Sequence, residues 1–531
     1  MSLSGPDDQN ALISSGPIDA LPVEILTKIF VELSQNYIKT VCKEHNSHPA
    51  DRPGYQVSSC RCLNWDPHSE QIPVWDNTDV CTRYPFPSAL WDVSNRWRTI
   101  TETIPSFWTR LVIFVDSNPT PLSWIARALA LSAEHPLQVN VIRREHTYSC
   151  SDPDERDRCR AVIALLSPHF HRCQRIHFDV IHSSSLPSLI TDFGRPCPLL
   201  HSLQLVCRED DGDAPGATNG SHSRNEGVLI SPALRVLEID GRNFAHRCRH
   251  GLQWDWKKII HSTLTSISIS NFTPSVSITE DLLFSNQDLL QFLQGMPALK
   301  SLSLSNVEFV AKREGEEWAG FVSLEVSHMV LKDLKRSVFS SIASGAMVMY
   351  GDSLQIERCE VSNFEVISPR SPSSYTILVD LDKGVNIGTH LLGWAGASLR
   401  VERCPSFNDD TLKIFAQHGC PPELLSLEIC DCPNFTAKGL IRAVEKLGWM
   451  PLLRVSGQML PEKPTAEQIL WLEKHTWEFD WNVRQSHMAC RVKFFLLVTR
   501  QSGTELVPVS CFVRDHPGSW RDTLSLHKIH S

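Results

Sequence analysis

The chain has 531 residues, a net charge of −9 and a hydrophobic fraction of 42%, which is typical of a soluble globular protein and argues against nucleic acid or an anionic membrane surface as its main partner. No apolar run approaches the roughly 18–20 residues of a membrane helix, and the polar, acidic N-terminus is unlike a secretory signal. The 17 cysteines are scattered and odd in number, as in proteins of a reducing compartment. We therefore expect a cytoplasmic or nuclear protein.

The first periodic segment is LPVEILTKIFVEL at 21–33, where apolar residues recur at helical spacing. Pro22 suits a first helical position, and Glu24 lies in the first turn, where the helix dipole favours an anion. Residues 1–17, by contrast, are rich in Ser, Gly, Pro and Asp, which predicts a flexible lead-in. We expect the folded chain to begin near residue 18 with an amphipathic helix.

A second helical stripe follows after a long interruption. Apolar residues at helical spacing run from Leu90 to Ile104, whereas 37–86 holds five of the 33 prolines and shows no sustained period. We expect an irregular insertion inside a small helical module that spans 18–108. The insertion contains closely spaced thiols and imidazoles, at Cys42, His45, His48, Cys60, Cys62 and Cys81. These groups bind Zn²⁺ in many proteins, but their spacing matches no standard finger, so an irregular loop without metal is favoured.

The rest of the chain is repetitive. The pattern LxxLxL, or its shorter core LxL, recurs through 109–460, and the second apolar residue of each core marks a strand. These anchors are residues 113, 139, 178, 205, 239, 269, 304, 326, 356, 401, 429 and 455. Their mean interval of about 31 residues is close to the 20–29 residues of leucine-rich repeats. The spacing predicts an α/β fold, an irregular solenoid in which each unit contributes one short strand and one covering helix or loop.

Covering helices are predicted where apolar residues recur at helical spacing after a strand, at 282–293, 411–416 and 439–444. The segment YTILVDL at 375–381 is either one further strand or an insertion. Two late units match closely in sequence, with Cys404 and Cys432 at equivalent positions.

After residue 460 the repeat pattern stops. Residues 465–480 favour a helix, and 489–499 with 505–513 favour a hairpin around Gly503. The C-terminal segment 461–531 is therefore expected either to cap the last repeat or to form a separate small element.

The two N-terminal helical segments, LPVEILTKIFVEL (21–33) and WDVSNRWRTI (91–100), together resemble an F-box. The sequence IPSFWTRLVI (104–113) further resembles the large F-box families of mushroom-forming fungi. The repeats with Cys404 and Cys432 resemble the cysteine-containing leucine-rich repeats often joined to F-boxes. The chain departs from the F-box pattern in its insertion at 37–86, so the middle helix of the module is expected to be either displaced or missing.

This resemblance implies the substrate-recognition subunit of an SCF-type cullin ubiquitin ligase. The N-terminal helices would dock on a Skp-family adaptor, and through it on a cullin, while the repeats would hold a protein substrate. The adaptor-binding residues expected on this basis are Leu21, Pro22, Glu24, Ile25, Leu26, Ile29, Phe30, Val93 and Trp97. The alternative interpretation is that both helices are ordinary core helices that cap the solenoid.

Acidic residues flank several of the inward Leu and Ile positions and are expected to point outward from the sheet. They are Glu238, Asp240, Glu325, Glu357, Glu402 and Glu428, against Arg400 as the clear basic residue. The pattern favours a substrate rich in Lys or Arg, unless these residues simply form a solvated strand face.

Catalytic and cofactor motifs such as HExxH, GxSxG, GxxxxGK and GxGxxG are absent from the sequence. We therefore expect no enzyme activity, no cofactor and no resident metal. The runner-up function is a free-standing leucine-rich-repeat scaffold for protein interactions without any link to ubiquitin.

Overall fold

The structure is a computed structural model, and it describes a defined part of the chain. The described residues are 21–33, 87–144, 152–189, 191–193, 196–212, 229–245, 263–273, 285, 288–289, 292–293, 295–309, 322–339, 346–361, 367–369, 375–382, 387–391, 394, 396–417, 424–447, 454–460, 464–476, 478–483, 493–500 and 503–510. The expected lead-in at 1–17 and the expected insertion at 37–86 lie outside these residues.

Fifteen of the described strands form one sheet in which each strand pairs with its neighbours in parallel. The strands are β1 (Arg110–Phe114), β2 (Leu137–Ile142), β3 (Cys173–His182), β4 (Ser202–Glu209), β5 (Val236–Asp240), β6 (Ser266–Phe272), β7 (Ser301–Val307), β8 (Val322–Lys332), β9 (Ala346–Glu357), β10 (Ile367–Pro369), β11 (Tyr375–Val379), β12 (Ser398–Glu402), β13 (Ser426–Cys430), β14 (Arg454–Leu460) and β15 (Glu478–Val483). They follow one another across the sheet in chain order, except that β10 pairs only with β9. The predicted α/β class is confirmed.

Helices lie between the strands and at the N-terminal end of the sheet. They are α1 (23–33), α2 (Ser88–Trp91), α3 (Asn95–Glu102), α4 (Leu122–Leu131), α5 (Glu155–Leu166), α6 (Ile387–His390), α7 (Asp409–Gln417), α8 (Ala437–Leu447) and α9 (Ala466–His475). Helices α7 and α8 occupy the predicted covering segments, and the described part of 282–293 contains helical turns at 288–289 and 292–293. The apolar faces of these helices pack against the sheet in one continuous core.

Two columns of residues run across the sheet, and from β1 to β13 their side chains are buried and, apart from Thr376, apolar. The register aligns Leu111, Val139, Ile176, Leu203, Leu237, Ile267, Leu302, Met329, Leu354, Thr376, Leu399, Leu427, Val455 and Phe479 in the first column. The second column lies two residues further along each strand. Because side chains alternate along a strand, the residues between the columns lie on the opposite side of the sheet, here called the polar face.

The pairing of the strands answers whether 375–381 forms a strand, and it corrects the column residues that the sequence predicts for β2 and β8. Residues 375–381 contribute the strand β11, which pairs with β9 on one side and β12 on the other. All twelve predicted anchors lie in strands, but in β2 the columns contain Val139 and Val141 instead of Leu137 and Val139. In β8 they contain Met329 and Leu331, because Leu324 and Val326 pair only with β9.

Each strand from β6 to β13 that lies in the main register has a residue with left-handed backbone next to its last residue. These residues are Asn271, Asn306, Asp333, Arg358, Asp380, Arg403 and Asp431, with φ between 50° and 53°. Asn and Asp tolerate this conformation because their short polar side chains bond locally, whereas Arg does so at some cost. We call this series the exit turns, and the residue after each one is buried in the core.

Three cysteines follow exit turns and replace a larger apolar side chain there. Cys359 Sγ lies 3.4 Å from the carbonyl oxygen of Leu331, and Cys404 and Cys432 contact the carbonyls of Leu378 and Val401 in the same way. Each thiol therefore bridges to the preceding unit. This contact explains why Cys404 and Cys432 recur at equivalent positions.

The C-terminal end of the described chain contains α9, capped by a reciprocal pair of hydrogen bonds between Thr465 and Gln468. Strands β16 (Lys493–Arg500) and β17 (Gly503–Ser510) pair in an antiparallel hairpin in the segment where the sequence favours one. Among the described helices, none is long and apolar enough to cross a membrane.

Candidate functional site

The N-terminal helices α1 and α3 pack against each other through aromatic rings. The ring centroids of Phe30 and Trp97 are 4.7 Å apart, and the guanidinium of Arg96 donates a hydrogen bond of 2.5 Å to the backbone oxygen of Leu21. Ser94 caps α3 by accepting a hydrogen bond from the backbone N–H of Trp97 at 3.2 Å. The two segments that the sequence places on either side of the insertion therefore form one helical module.

This module is joined to the first end of the sheet by a second aromatic cluster. Trp91 packs edge-on against Trp108 at 5.1 Å, and the guanidinium groups of Arg98 and Arg127 lie over the Trp91 ring at 5.5 and 5.1 Å. The indole N–H of Trp108 donates to the carbonyl of Thr101 at 3.0 Å. The module therefore packs directly against the first end of the sheet through aromatic rings, with the indole N–H of Trp108 satisfied.

The structure divides the nine predicted adaptor-binding residues into two groups. Leu26, Phe30 and Trp97 are buried, and Leu21 and Ile29 are half-buried in the same core. The prediction that Leu26, Phe30 and Trp97 contact a partner directly is corrected, because their side chains hold the module together.

The remaining predicted residues, Pro22, Glu24, Ile25 and Val93, are exposed. Ile25 keeps 42% of its surface accessible and Val93 keeps 56%. Two further apolar residues that the sequence analysis did not select, Val23 and Leu33, are 47% and 46% exposed. The sequence could have indicated that Val23 and Leu33 are exposed, because the apolar positions of α1 cover a wider stripe than one neighbouring helix can bury.

We call Val23, Ile25, Leu33 and Val93 the N-terminal apolar surface. Burying a side chain of this size contributes about 1.5–3 kcal/mol, so a partner that covers even two of them gains substantial affinity. Scattered exposed apolar residues are ordinary, but here three of them lie on α1, and Val93 lies in the turn that leads into α3, the helix that packs on α1.

Three of the six acidic residues expected on the polar face are paired with basic neighbours. Glu357 is bound by Lys332 at 3.3 Å and Glu402 by Arg400 at 2.8 Å, and the second guanidinium nitrogen of Arg400 lies 3.7 Å from Glu428. The guanidinium groups of Arg358 and Arg403 also contact Glu357 and Glu402. These carboxylates are therefore already neutralised within the sheet.

Three other predicted acidic residues differ in their placement. Glu238 is half-buried and accepts a hydrogen bond of 2.6 Å from the amide of Gln204, whereas Glu325 is exposed. Asp240 is completely buried, so its expected place on an accessible surface is corrected. It accepts hydrogen bonds from the backbone and side chain of Asn243, and burial raises the pKa of its carboxyl to about 7.

Nothing in the described part of the chain forms a metal centre, since no group of three or more His, Cys, Asp or Glu residues is arranged to hold an ion. The candidate zinc ligands Cys42, His45, His48, Cys60, Cys62 and Cys81 lie outside the described residues. Burial raises the pKa of Cys404 to about 11 and that of Cys432 to about 12. Both thiols are therefore neutral packing groups at neutral pH, because reactivity requires the thiolate.

Comparison with known proteins adds no family assignment. No protein-family model matches the sequence, and no curated protein is significantly similar to it.

Proposed function

We propose that this chain is an F-box protein with leucine-rich repeats, acting as the substrate-recognition subunit of an SCF-type cullin ubiquitin ligase. Its N-terminal module docks on a Skp-family adaptor, and its sheet holds a protein substrate. The chain itself makes and breaks no bonds. Its contribution is to raise the effective concentration of substrate lysines near the conjugating enzyme.

The observation that carries the proposal is the N-terminal apolar surface. Ile25 and Val93 match the F-box positions expected to meet the adaptor, and both side chains are exposed. The buried members of the same pattern, Leu26, Phe30 and Trp97, supply the scaffold that holds them. A helix that presents apolar edges beside its own core is suited to a groove on another protein.

The spacing of the strands supports leucine-rich repeats as the substrate-binding part. In the second column, Leu304, Leu331, Ile356, Leu378 and Val401 follow at intervals of 27, 25, 22 and 23 residues. These intervals lie within the range of 20–29 residues per leucine-rich repeat. The sequence-based mean of about 31 was too long here because it did not count β11 as a strand between β9 and β12.

A free-standing repeat scaffold is the second candidate, and one observation favours it. Leu26 and Phe30 belong to the same continuous core as the sheet, which is the arrangement of a helical cap that shields the first repeat. Solenoids need such caps for solubility. The two candidates differ in whether the exposed side of the cap has a partner.

The test is retention of a purified Skp-family adaptor by the full chain carrying Ile25→Asp with Val93→Asp. We expect adaptor binding to weaken about a hundredfold, because two apolar contacts of roughly 1.5 kcal/mol or more each are replaced by carboxylates. The circular dichroism spectrum should not change, since both side chains are exposed.

A matched control introduces the same charges elsewhere, as Leu122→Asp with Leu470→Asp. Leu122 and Leu470 are exposed apolar residues on α4 and α9, and this variant should bind the adaptor as tightly as the wild type. Absence of adaptor binding by the wild type, or equal loss in both variants, would leave the scaffold function as the better explanation.

A further inference from the structure

Three units near the middle of the sheet enter their strands through the same turn. The segments CPLLH (197–201), SPALR (231–235) and MPALK (296–300) share a proline, a leucine and a terminal basic residue. In each, the backbone N–H of the leucine donates to the carbonyl three residues earlier, at 3.1 to 3.2 Å. Proline suits the second position of such a turn, and the three leucines, Leu200, Leu234 and Leu299, are buried.

The turns place three basic residues in a row along the edge where the strands begin. The backbone N–H of Arg235 donates to the carbonyl of His201 at 2.9 Å, Thr265 donates to Arg235 at 2.9 Å, and Lys300 donates to Thr265 at 2.8 Å. His201, Arg235 and Lys300 therefore lie directly before β4, β5 and β7, at one level of the sheet. Since parallel strands are about 4.8 Å apart, the row is about 15 Å long. We call these three residues the basic rim.

In the described part of the chain, the side chains of the basic rim have no ionic partner, in contrast to the paired carboxylates of the polar face. His201, Arg235 and Lys300 are exposed, and within the described part of the chain their side chains form no hydrogen bond or ion pair. The described loops that lead into β4 to β7, at 196–201, 229–235, 263–265 and 295–300, contain no acidic residue. By contrast, the carboxylates of Glu357 and Glu402 are bound by neighbouring cations.

Apolar side chains lie beside the basic rim. Leu199 and Ile230 are both exposed, and the backbone N–H of Cys197 donates to the carbonyl of Ile230 at 2.8 Å, which brings their two loops together. A surface that combines the two cations Arg235 and Lys300 with exposed apolar groups fits an acidic peptide that also carries an apolar residue. Nucleic acid fits less well, because the chain carries a net charge of −9 and the rim offers only three basic groups.

We propose that the basic rim binds an acidic polypeptide segment, with Arg235 and Lys300 contacting its carboxylates and Leu199 and Ile230 contacting an apolar side chain. An extended segment of about five residues spans the row, at roughly 3.3 Å per residue. Assigning this segment to a substrate rests on the proposed ligase function, whereas the binding surface itself does not. The substrate preference is therefore for acidic sequences, opposite to the one expected from the acidic positions in the sequence.

The experiment measures fluorescence anisotropy of a labelled peptide of alternating glutamate and serine with one central leucine, titrated with the full chain at low salt. Arg235→Glu with Lys300→Glu should weaken binding about tenfold, because each exposed attraction of up to about 1 kcal/mol becomes a repulsion. Binding by the wild type should also fall as salt shortens the range of the interaction.

The control variant, Lys413→Glu with Lys438→Glu, changes the net charge equally at exposed positions of α7 and α8, and it should bind the peptide normally. Equal weakening in both variants, equal binding of a peptide with glutamine in place of glutamate, or tighter binding of a single-stranded oligonucleotide would overturn the proposal. Adaptor retention by the rim variant is measured separately. Loss of adaptor retention in the rim variant would bear on the proposed ligase function. If adaptor retention persists, the peptide measurement alone decides whether the basic rim binds an acidic segment.

Discussion

The two halves of the sheet hold successive units together by different means. Between β1 and β7 the second-column residues are 27 to 37 residues apart, and long connections contribute buried carboxylates that bind across units. Between β7 and β13 the intervals shrink to 22 to 28 residues, and exposed ion pairs with buried thiols join one unit to the next. Shorter units leave less chain with which to cover a buried charge.

Glu155 and Asp210 are examples of such carboxylates in the N-terminal half. Glu155 of α5 is fully buried and accepts hydrogen bonds from Arg143 at 3.1 Å, from the backbone of Ile181 at 2.9 Å and from Ser185 at 3.1 Å. Asp210, after β4, binds the guanidinium of Arg242 after β5 and the backbone N–H of Thr273 after β6. Each carboxylate therefore fixes segments that are distant in sequence.

The C-terminal half uses the exit turns instead. Arg358 forms a two-bonded pair with Asp333 at 2.6 and 2.8 Å, and Arg403 forms the equivalent pair with Asp380 at 2.7 and 2.8 Å. The arginine side chains remain 42% and 44% exposed. Water therefore screens these pairs, and each contributes far less than a buried one.

The largest effect is expected from Glu155→Ala in the N-terminal half. The substitution leaves the buried Arg143 with one carboxylate partner fewer and removes an acceptor from Ile181 and Ser185, so unfolding free energy should fall by about 3–5 kcal/mol. Urea denaturation followed by circular dichroism measures it. Glu134→Ala, at an exposed position, serves as the control and should change stability by less than about 0.5 kcal/mol. Similar small losses in both variants would contradict the account of the N-terminal half.

An intermediate effect is expected at alkaline pH from the buried thiols of the C-terminal half. Burial raises the pKa of Cys404 to about 11 and those of Cys359 and Cys432 to about 12. The unfolded chain releases these protons near pH 9 and the folded chain retains them, so stability should fall as pH rises from about 9 to 11, by up to about 1.4 kcal/mol per pH unit for each thiol. Denaturation midpoints over this range measure the slope.

The variant with alanine at all three thiols is the comparison for that slope. It should be less stable at neutral pH, because each substitution leaves a small cavity, but its stability should depend less on pH above 9. An unchanged slope would show that other groups cause the alkaline loss.

The smallest effect is expected from Arg403→Ala, which removes one exposed ion pair but keeps a left-handed residue with a Cβ atom. A loss of about 1 kcal/mol is expected, whereas Arg403→Gly should lose less because glycine adopts the positive φ without strain. A double-mutant cycle with Asp380→Ala isolates the pair. Arg403 lowers the pKa of Asp380, so the coupling should be present at neutral pH and disappear as acid protonates the carboxyl. Coupling that persists in acid would contradict the ion-pair account.

The sequence was most informative where one local pattern has one structural solution. Alternating Leu and Ile residues placed all twelve anchors in strands. The same pattern failed in β8, because Leu324–Val326 and Met329–Leu331 alternate equally well and only the pairing with β7 selects the second pair. Likewise, the stripe on α1 did not separate Leu26, which faces the core, from Ile25, which faces outward.

The ion pairs and the burial of the acidic residues could be predicted only in part from the sequence, because some of them depend on contacts between different strands. Arg400 and Glu402 are two residues apart on one strand, so their pairing is local, but the approach of Arg400 to Glu428 depends on a register between units 28 residues apart. Asp240 falls at the end of β5, where the chain turns into the core and buries the carboxyl. Alternation along a strand therefore does not apply to it.

The most direct test of the central claim, that the N-terminal helices form an adaptor-binding module, is co-purification of the full chain with a Skp-family adaptor on a size-exclusion column. The account predicts a complex of one chain with one adaptor, which dissociates when Ile25 and Val93 are replaced by aspartate and persists when Leu122 and Leu470 are replaced. A wild-type chain that elutes without the adaptor would contradict the claim.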